Sequence, residues 1–111
     1  MSLGTSSISL AVADIEASYA FYHKLGFEIK DGAIEQNWLI LISGKTKIGL
    51  FQGMFPTNTI TFNPLNARAI RKNIRDQGIP ISFESGFDVA AGPCTISITD
   101  PDGNPILIDQ H

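Results

Sequence analysis

The chain has 111 residues, 43% of them hydrophobic and 17% charged, a globular composition with room for one domain and far from that of a disordered segment. Eight basic against eleven acidic residues give a net charge of −3, and with no Lys/Arg run this argues against nucleic acid as a partner. No apolar run nears the ~20 residues of a membrane span, the opening MSLGTSS lacks the features of a secretory signal, and the lone Cys94 suits a reducing compartment, so a cytoplasmic location without membrane contact is expected.

In chain order, Ser7–Val12 alternates small polar with apolar residues, as a half-buried strand does. Asp14 can cap a helix from Ile15 to about Leu25, with Ile15, Tyr19, Tyr22 and Leu25 on one stripe and Gly26 as its stop. A short strand begins at Phe27. A hairpin follows: Trp38–Ser43, a turn at Gly44, and Lys47–Phe51. Met54–Asn58 reads as a linker. The same order then returns. Thr59–Asn63 alternates like the first strand, and Asn66 caps a helix over Ala67–Gln77, with Leu65 placed to staple onto Ile70 and Gly78 as the stop. A short strand Pro80–Phe83, a loop Ser85–Gly92, and a closing hairpin of Thr95–Thr99 and Pro105–Asp109 complete the chain.

Gly26 and Gly78 are separated by close to half the chain, as are the two hairpin glycines, Gly44 and Gly103, which implies a duplicated βαβββ unit. Module one covers about residues 6–53 and module two about 58–111, within one α+β domain. Strand parity puts Ile8, Leu10, Val12, Ile60, Phe62, Ile96, Ile98, Ile106 and Ile108 on a face that must pack against the helices. The opposite face carries Ser7, Ser9, Ala11, Thr59, Thr61, Asn63, Thr95, Ser97, Thr99, Leu107 and Asp109. These residues are small, mostly hydroxyl-bearing and almost uncharged, which fits either a semi-enclosed pocket or a wet face held by Ser/Thr pairs.

The segments LAVADIEASYAFYHKLGFE (Leu10–Glu28) and ITDPDGNPILIDQH (Ile98–His111), supported by KIGLFQG and TFNP, resemble the glyoxalase / bleomycin-resistance / extradiol-dioxygenase superfamily, also called vicinal oxygen chelate proteins. The resemblance implies two βαβββ modules forming a cupped mixed sheet with helices on its outer face, commonly in a homodimer. It also implies a longer loop after Pro64, where here Leu65 follows at once. The family's metal ligands come one from each of four strands, and by motif those positions are Ser7, Gly49, Thr59 and Leu107. None is an imidazole or a carboxylate, so neither a metal nor another cofactor is expected there.

Candidate residues follow from the inner face. Asp109 is its carboxylate, able to bind a cationic or hydroxylated ligand or to act as a base, and otherwise a paired strand end; His111 shares its parity and could join it as a dyad. Trp38 and Phe51 could wall a ligand site or serve a core or interface. Ser9, Thr61 and Asn63 would add polar contacts. Elsewhere the bland readings are preferred: His23 as solvated surface, Cys94 as a buried inert thiol, and Arg68, Arg71, Lys72 and Arg75 as a solvated helix face rather than an anion site. Asp100 and Asp102 in DPDGN are read as turn chemistry, and Asn37 as either a strand start or a pocket residue.

Three functions remain open from the sequence: a metal-independent small-molecule binding protein, a metal-dependent lyase or dioxygenase with atypical ligands such as Asp109 and His111, and a dimerisation module without a ligand. The expected partners are a small molecule and a second copy of the chain.

Overall fold

Alternating small polar and apolar residues form the first strand, β1 (Thr5–Val12), and Asp14 then opens α1 (Ile15–Lys24), its carboxylate accepting from the Glu16 and Ala17 amides at 3.1 and 3.2 Å. The computed structural model describes all 111 residues. Next come β2 (Glu28–Ala33), a 3₁₀ turn, β3 (Trp38–Ser43) and β4 (Thr46–Gln52). The second pass gives β5 (Thr59–Asn63), α2 (Ala67–Asp76), β6 (Phe83–Ser85), β7 (Cys94–Thr99) and β8 (Pro105–Gln110). The α+β class and the duplicated βαβββ order are as the sequence implies.

The chain divides into two compact units, Ser7–Thr59 and Ile60–His111, the latter joined by Met1–Ser6. In the first unit the strand order is β2-β3-β4-β1, with β1 parallel to β4 and the other pairs antiparallel. Leu39, Leu41, Ile48 and Leu50 are buried with Ile15, and Leu10, Val12, Tyr19, Tyr22 and Phe27 pack around them. In the second unit the order is β5-β8-β7-β6, with β5 parallel to β8. Its core joins Ala67, Ile70 and Ile74 of α2 to Cys94, Ile96 and Ile108, with Leu3 packed against them. Each fully buried leucine or isoleucine contributes about 1.5–3 kcal/mol.

The two units share a fastening that pattern reading missed. Gln52, last in β4, accepts from the Ile15 amide at 2.9 Å; Gln110, last in β8, accepts from the Ala67 amide at 2.7 Å. In each repeat the final strand supplies an acceptor to the first residue of that repeat's helix, where amides have no partner within the helix. Gln110 also donates to the Gly92 carbonyl at 3.0 Å, holding the loop before β7.

Several expectations are corrected. The second short strand is Phe83–Ser85 and not Pro80–Phe83, because Ser82 donates its amide to the Ser97 carbonyl and pairing begins only there. α1 ends at Lys24; Leu25 is its exposed C-cap, and Phe27, not Leu25, completes the apolar stripe after Gly26 turns the chain at φ 101°. Leu65 staples nothing: it is 97% exposed, while the neighbouring Pro64 is buried beside Gly4. On the helix-facing side Ile8 and Ile60 stay 50% and 40% exposed, since neither reaches a core cluster, while Ser7, Ser9, Thr59 and Thr61 on the opposite side are buried.

Replacing Gln110 with Ala removes two hydrogen bonds at once and should cost about 1–2 kcal/mol. Urea denaturation would measure it, and a midpoint equal to wild type would show that water replaces both bonds without loss.

Candidate functional site

In the first unit, register places Ser9 beside Gly49, Ala11 beside Phe51, Trp38 opposite Phe51 and Ile40 opposite Gly49. One face of this sheet therefore presents Ser9, Gly49, Phe51 and Trp38 together. The Trp38 and Phe51 rings lie 6.5 Å apart and nearly parallel, at 7°, and Phe55 from the following linker meets Phe51 edge-on at 5.1 Å. The Phe51 ring lies back across Gly49. Asn37 is a turn residue: at φ 65° it caps the 3₁₀ turn and accepts from the Gln52 amide at 2.9 Å, so it starts β3. Asn58 holds the other edge, accepting from the Ala11 amide at 2.9 Å.

In the second unit, three residues singled out from sequence come together. Asn63 donates to the Asp109 carbonyl at 2.9 Å and lies 3.4 Å from His111 Nε2, and that nitrogen stands 3.8 Å from Asp109 Oδ2. A fourth member, Thr95, donates its hydroxyl to Asp109 Oδ1 at 2.8 Å. Thr95 pairs directly with Asp109 across the β7–β8 ladder, so the register of the closing hairpin could have pointed to it. The Asp109 side chain is 28% exposed, with one oxygen oriented by Thr95 and the other turned toward His111. This arrangement suits binding of a donor-rich or cationic group. Thr61 is buried and aligned with Leu107 on the same sheet.

The basic side of α2 is solvated at Lys72 and Arg75, as read from sequence, whereas Arg68 and Arg71 are held by groups of the same unit. Arg68 donates to the carbonyls of Gly86, Val89 and Gly92, binding the loop before β7. Arg71 grips Glu84 with two bonds, at 2.7 and 2.8 Å, and stacks its guanidinium 4.4 Å from the Phe87 ring; Arg75 joins Glu84 at 3.2 Å and Lys72 pairs with Asp76 at 2.8 Å. The hydrogen bonds from Arg71 hold the Glu84 carboxyl below the usual carboxylate range, against a smaller opposing effect of burial. Asp100 is likewise lowered, by the Asn104 side chain and amide foremost, which fits its role in the turn. Cys94 is buried in the α2 core. His23 is exposed, with Nδ1 3.2 Å from the Phe27 carbonyl.

No group of three or more His, Cys, Asp or Glu side chains stands close enough to share a metal ion, and no helix is long and apolar enough to cross a membrane. Of the positions where the sequence resemblance implies metal ligands, Ser7 and Thr59 are buried hydroxyls, Gly49 lies under a phenyl ring and Leu107 is an alkyl side chain. They do not fit a divalent cation.

No protein-family model and no curated protein matches the sequence. Solved structures do. A glyoxalase/bleomycin resistance protein/dioxygenase superfamily member from Vibrio splendidus 12B01 matches with TM-score 0.72 and 14% identity, over 96% of this chain and 98% of that one. A Legionella pneumophila structure described as an NAD-dependent benzaldehyde dehydrogenase gives TM-score 0.74 and 15% identity, over 96% and 98% of the two chains. Methylmalonyl-CoA epimerase from Streptomyces coelicolor gives 0.68 and 17%, over 98% and 95%. At such identities the likeness establishes the fold.

The Arg71–Glu84 pair gives stability that is complete above the ordinary glutamate value of 4.5 and is lost as pH falls through the lowered one. Glu84→Gln should therefore melt lower than wild type at pH 7 and lose less on acidification from pH 5 to 3. Melting curves that fall in parallel with pH would contradict this.

Proposed function

From the glyoxalase/bleomycin resistance/dioxygenase fold of this chain, we propose a small-molecule binding protein that works without a metal ion. The observation that carries the reading is the Asp109 cluster. A carboxylate oriented by Thr95, backed by Asn63 and flanked by His111 is built to hold a polar group, and a net charge of −3 favours neutral or cationic ligands over anions. In the first unit, the Trp38–Phe51–Phe55 rings offer a separate apolar surface for stacking of a flat ligand. Ser9 and Thr61 add buried hydroxyls on the same sheet faces. The protein is proposed to act in the cytoplasm as a homodimer.

The test is a thermal-shift screen of aromatic amines and their uncharged analogues against wild type and Asp109→Ala. Wild type should be stabilised by cationic or donor-bearing compounds, by about 2.7 kcal/mol at a hundredfold excess over Kd. Asp109→Ala should lose that shift while His23→Ala keeps it. Equal shifts in wild type and Asp109→Ala would remove Asp109 from the site.

A further inference from the structure

A strand glycine often marks a place where another group approaches the backbone closely. Gly49 lies inside β4, and it is not among the glycines with a left-handed backbone, so nothing in its own conformation demands glycine. What demands it is a neighbour. A Cβ built on Gly49 would overlap Cε2 of Phe51, stand 3.2 Å from Phe51 Cζ and 3.4 Å from Ile40 Cδ1. The Phe51 ring is itself hemmed in, with Trp38 nearly parallel on one side and Phe55 edge-on at 5.1 Å. Withdrawing the ring from Gly49 would disturb its contacts with Trp38 or Phe55.

Gly49 is also a position where the sequence resemblance implies a metal ligand. We infer that Phe51 has taken over that space, so that the metal position in this unit is filled by an aromatic ring and not merely stripped of its ligand. Glycine at 49 and phenylalanine at 51 are one device. The small residue admits the ring, the ring excludes any side chain that could reach a cation, and the surface left behind is apolar. This inference concerns the packing of the first unit, so it can fail while the ligand-binding reading stands, and the reverse.

The sign of one substitution is diagnostic. In an open strand Gly→Ala restricts the unfolded chain and raises the melting temperature by a few degrees. Under the Phe51 ring it should lower it, by roughly 5 °C, because overpacking outweighs that gain. Phe51→Leu keeps an apolar residue while removing Cε2 and Cζ, so the same Gly49→Ala change made in that background should cost less than about 1 °C, or stabilise. Fluorescence of Trp38, the chain's one tryptophan, reports the ring's displacement: its emission should shift in Gly49→Ala and not when Gly49→Ala is added to Phe51→Leu. A Gly49→Ala chain that folds only with Phe51→Leu present would support the inference by rescue. A rise in melting temperature for Gly49→Ala alone, or equal losses or failure to fold in both backgrounds, would overturn it.

Discussion

A glutamine at the end of the last strand of each module is tied to the first amide of that module's helix, and that tie fastens the start of each helix to its own sheet. Gln52 holds Ile15 and Gln110 holds Ala67, at 2.9 and 2.7 Å. Each bond satisfies a helix amide that the helix itself cannot pair. Each also sets where the helix begins against the sheet, and hence which strand residues it covers. In the first unit the covered residues are Leu39, Leu41, Ile48 and Leu50; in the second they are Ile96, Ile108 and Cys94. Strand parity then leaves Trp38, Phe51 and Ser9, or Thr61, Thr95 and Asp109, on the side away from the helix.

What the sequence made legible was local. Asp14 and Asn66 cap their helices through their own side chains, and Gly26 and Gly78 stop them; each feature needs only a few neighbouring residues. The DPDGN turn is equally self-contained, with Asp100 accepting from both the amide and the side chain of Asn104. The repeat of these local features is why the duplicated fold could be read without a structure. What escaped depends on partners distant in sequence. The Arg68 guanidinium was read as solvated, yet it serves three carbonyls 18 to 24 residues away. Gln52 and Gln110 sit in strands and carry no pattern that marks them as helix anchors. Ile8 and Ile60 obey strand parity but lie outside the core clusters, a limit set by packing and invisible to periodicity.

The candidate site was legible in part for the same reason. Asp109 and His111 share a parity, and Asn63 ends the strand that pairs with β8, so their association follows from alternation and pairing. Thr95 needed the register of the hairpin. The meaning of Gly49 needed a side chain two residues away to fold back over it, which no spacing rule describes. That ring changes the chemistry on offer. A divalent metal site needs imidazole, thiolate or carboxylate ligands, whereas Ser7, Thr59, Gly49 and Leu107 present hydroxyls, bare backbone and an alkyl group. The second unit offers a carboxylate at Asp109, and the first an apolar surface at Trp38 and Phe51.

The most direct measurement is metal content and affinity on the purified, tag-free chain: elemental analysis as isolated, then calorimetric titration with Zn²⁺, Ni²⁺, Mn²⁺ and Fe²⁺. A protein that binds its ligand without a metal should arrive with none in stoichiometric amount and show no saturable uptake at micromolar concentrations. One tightly held metal ion per chain would contradict the account and make Asp109 and His111 the first ligands to test.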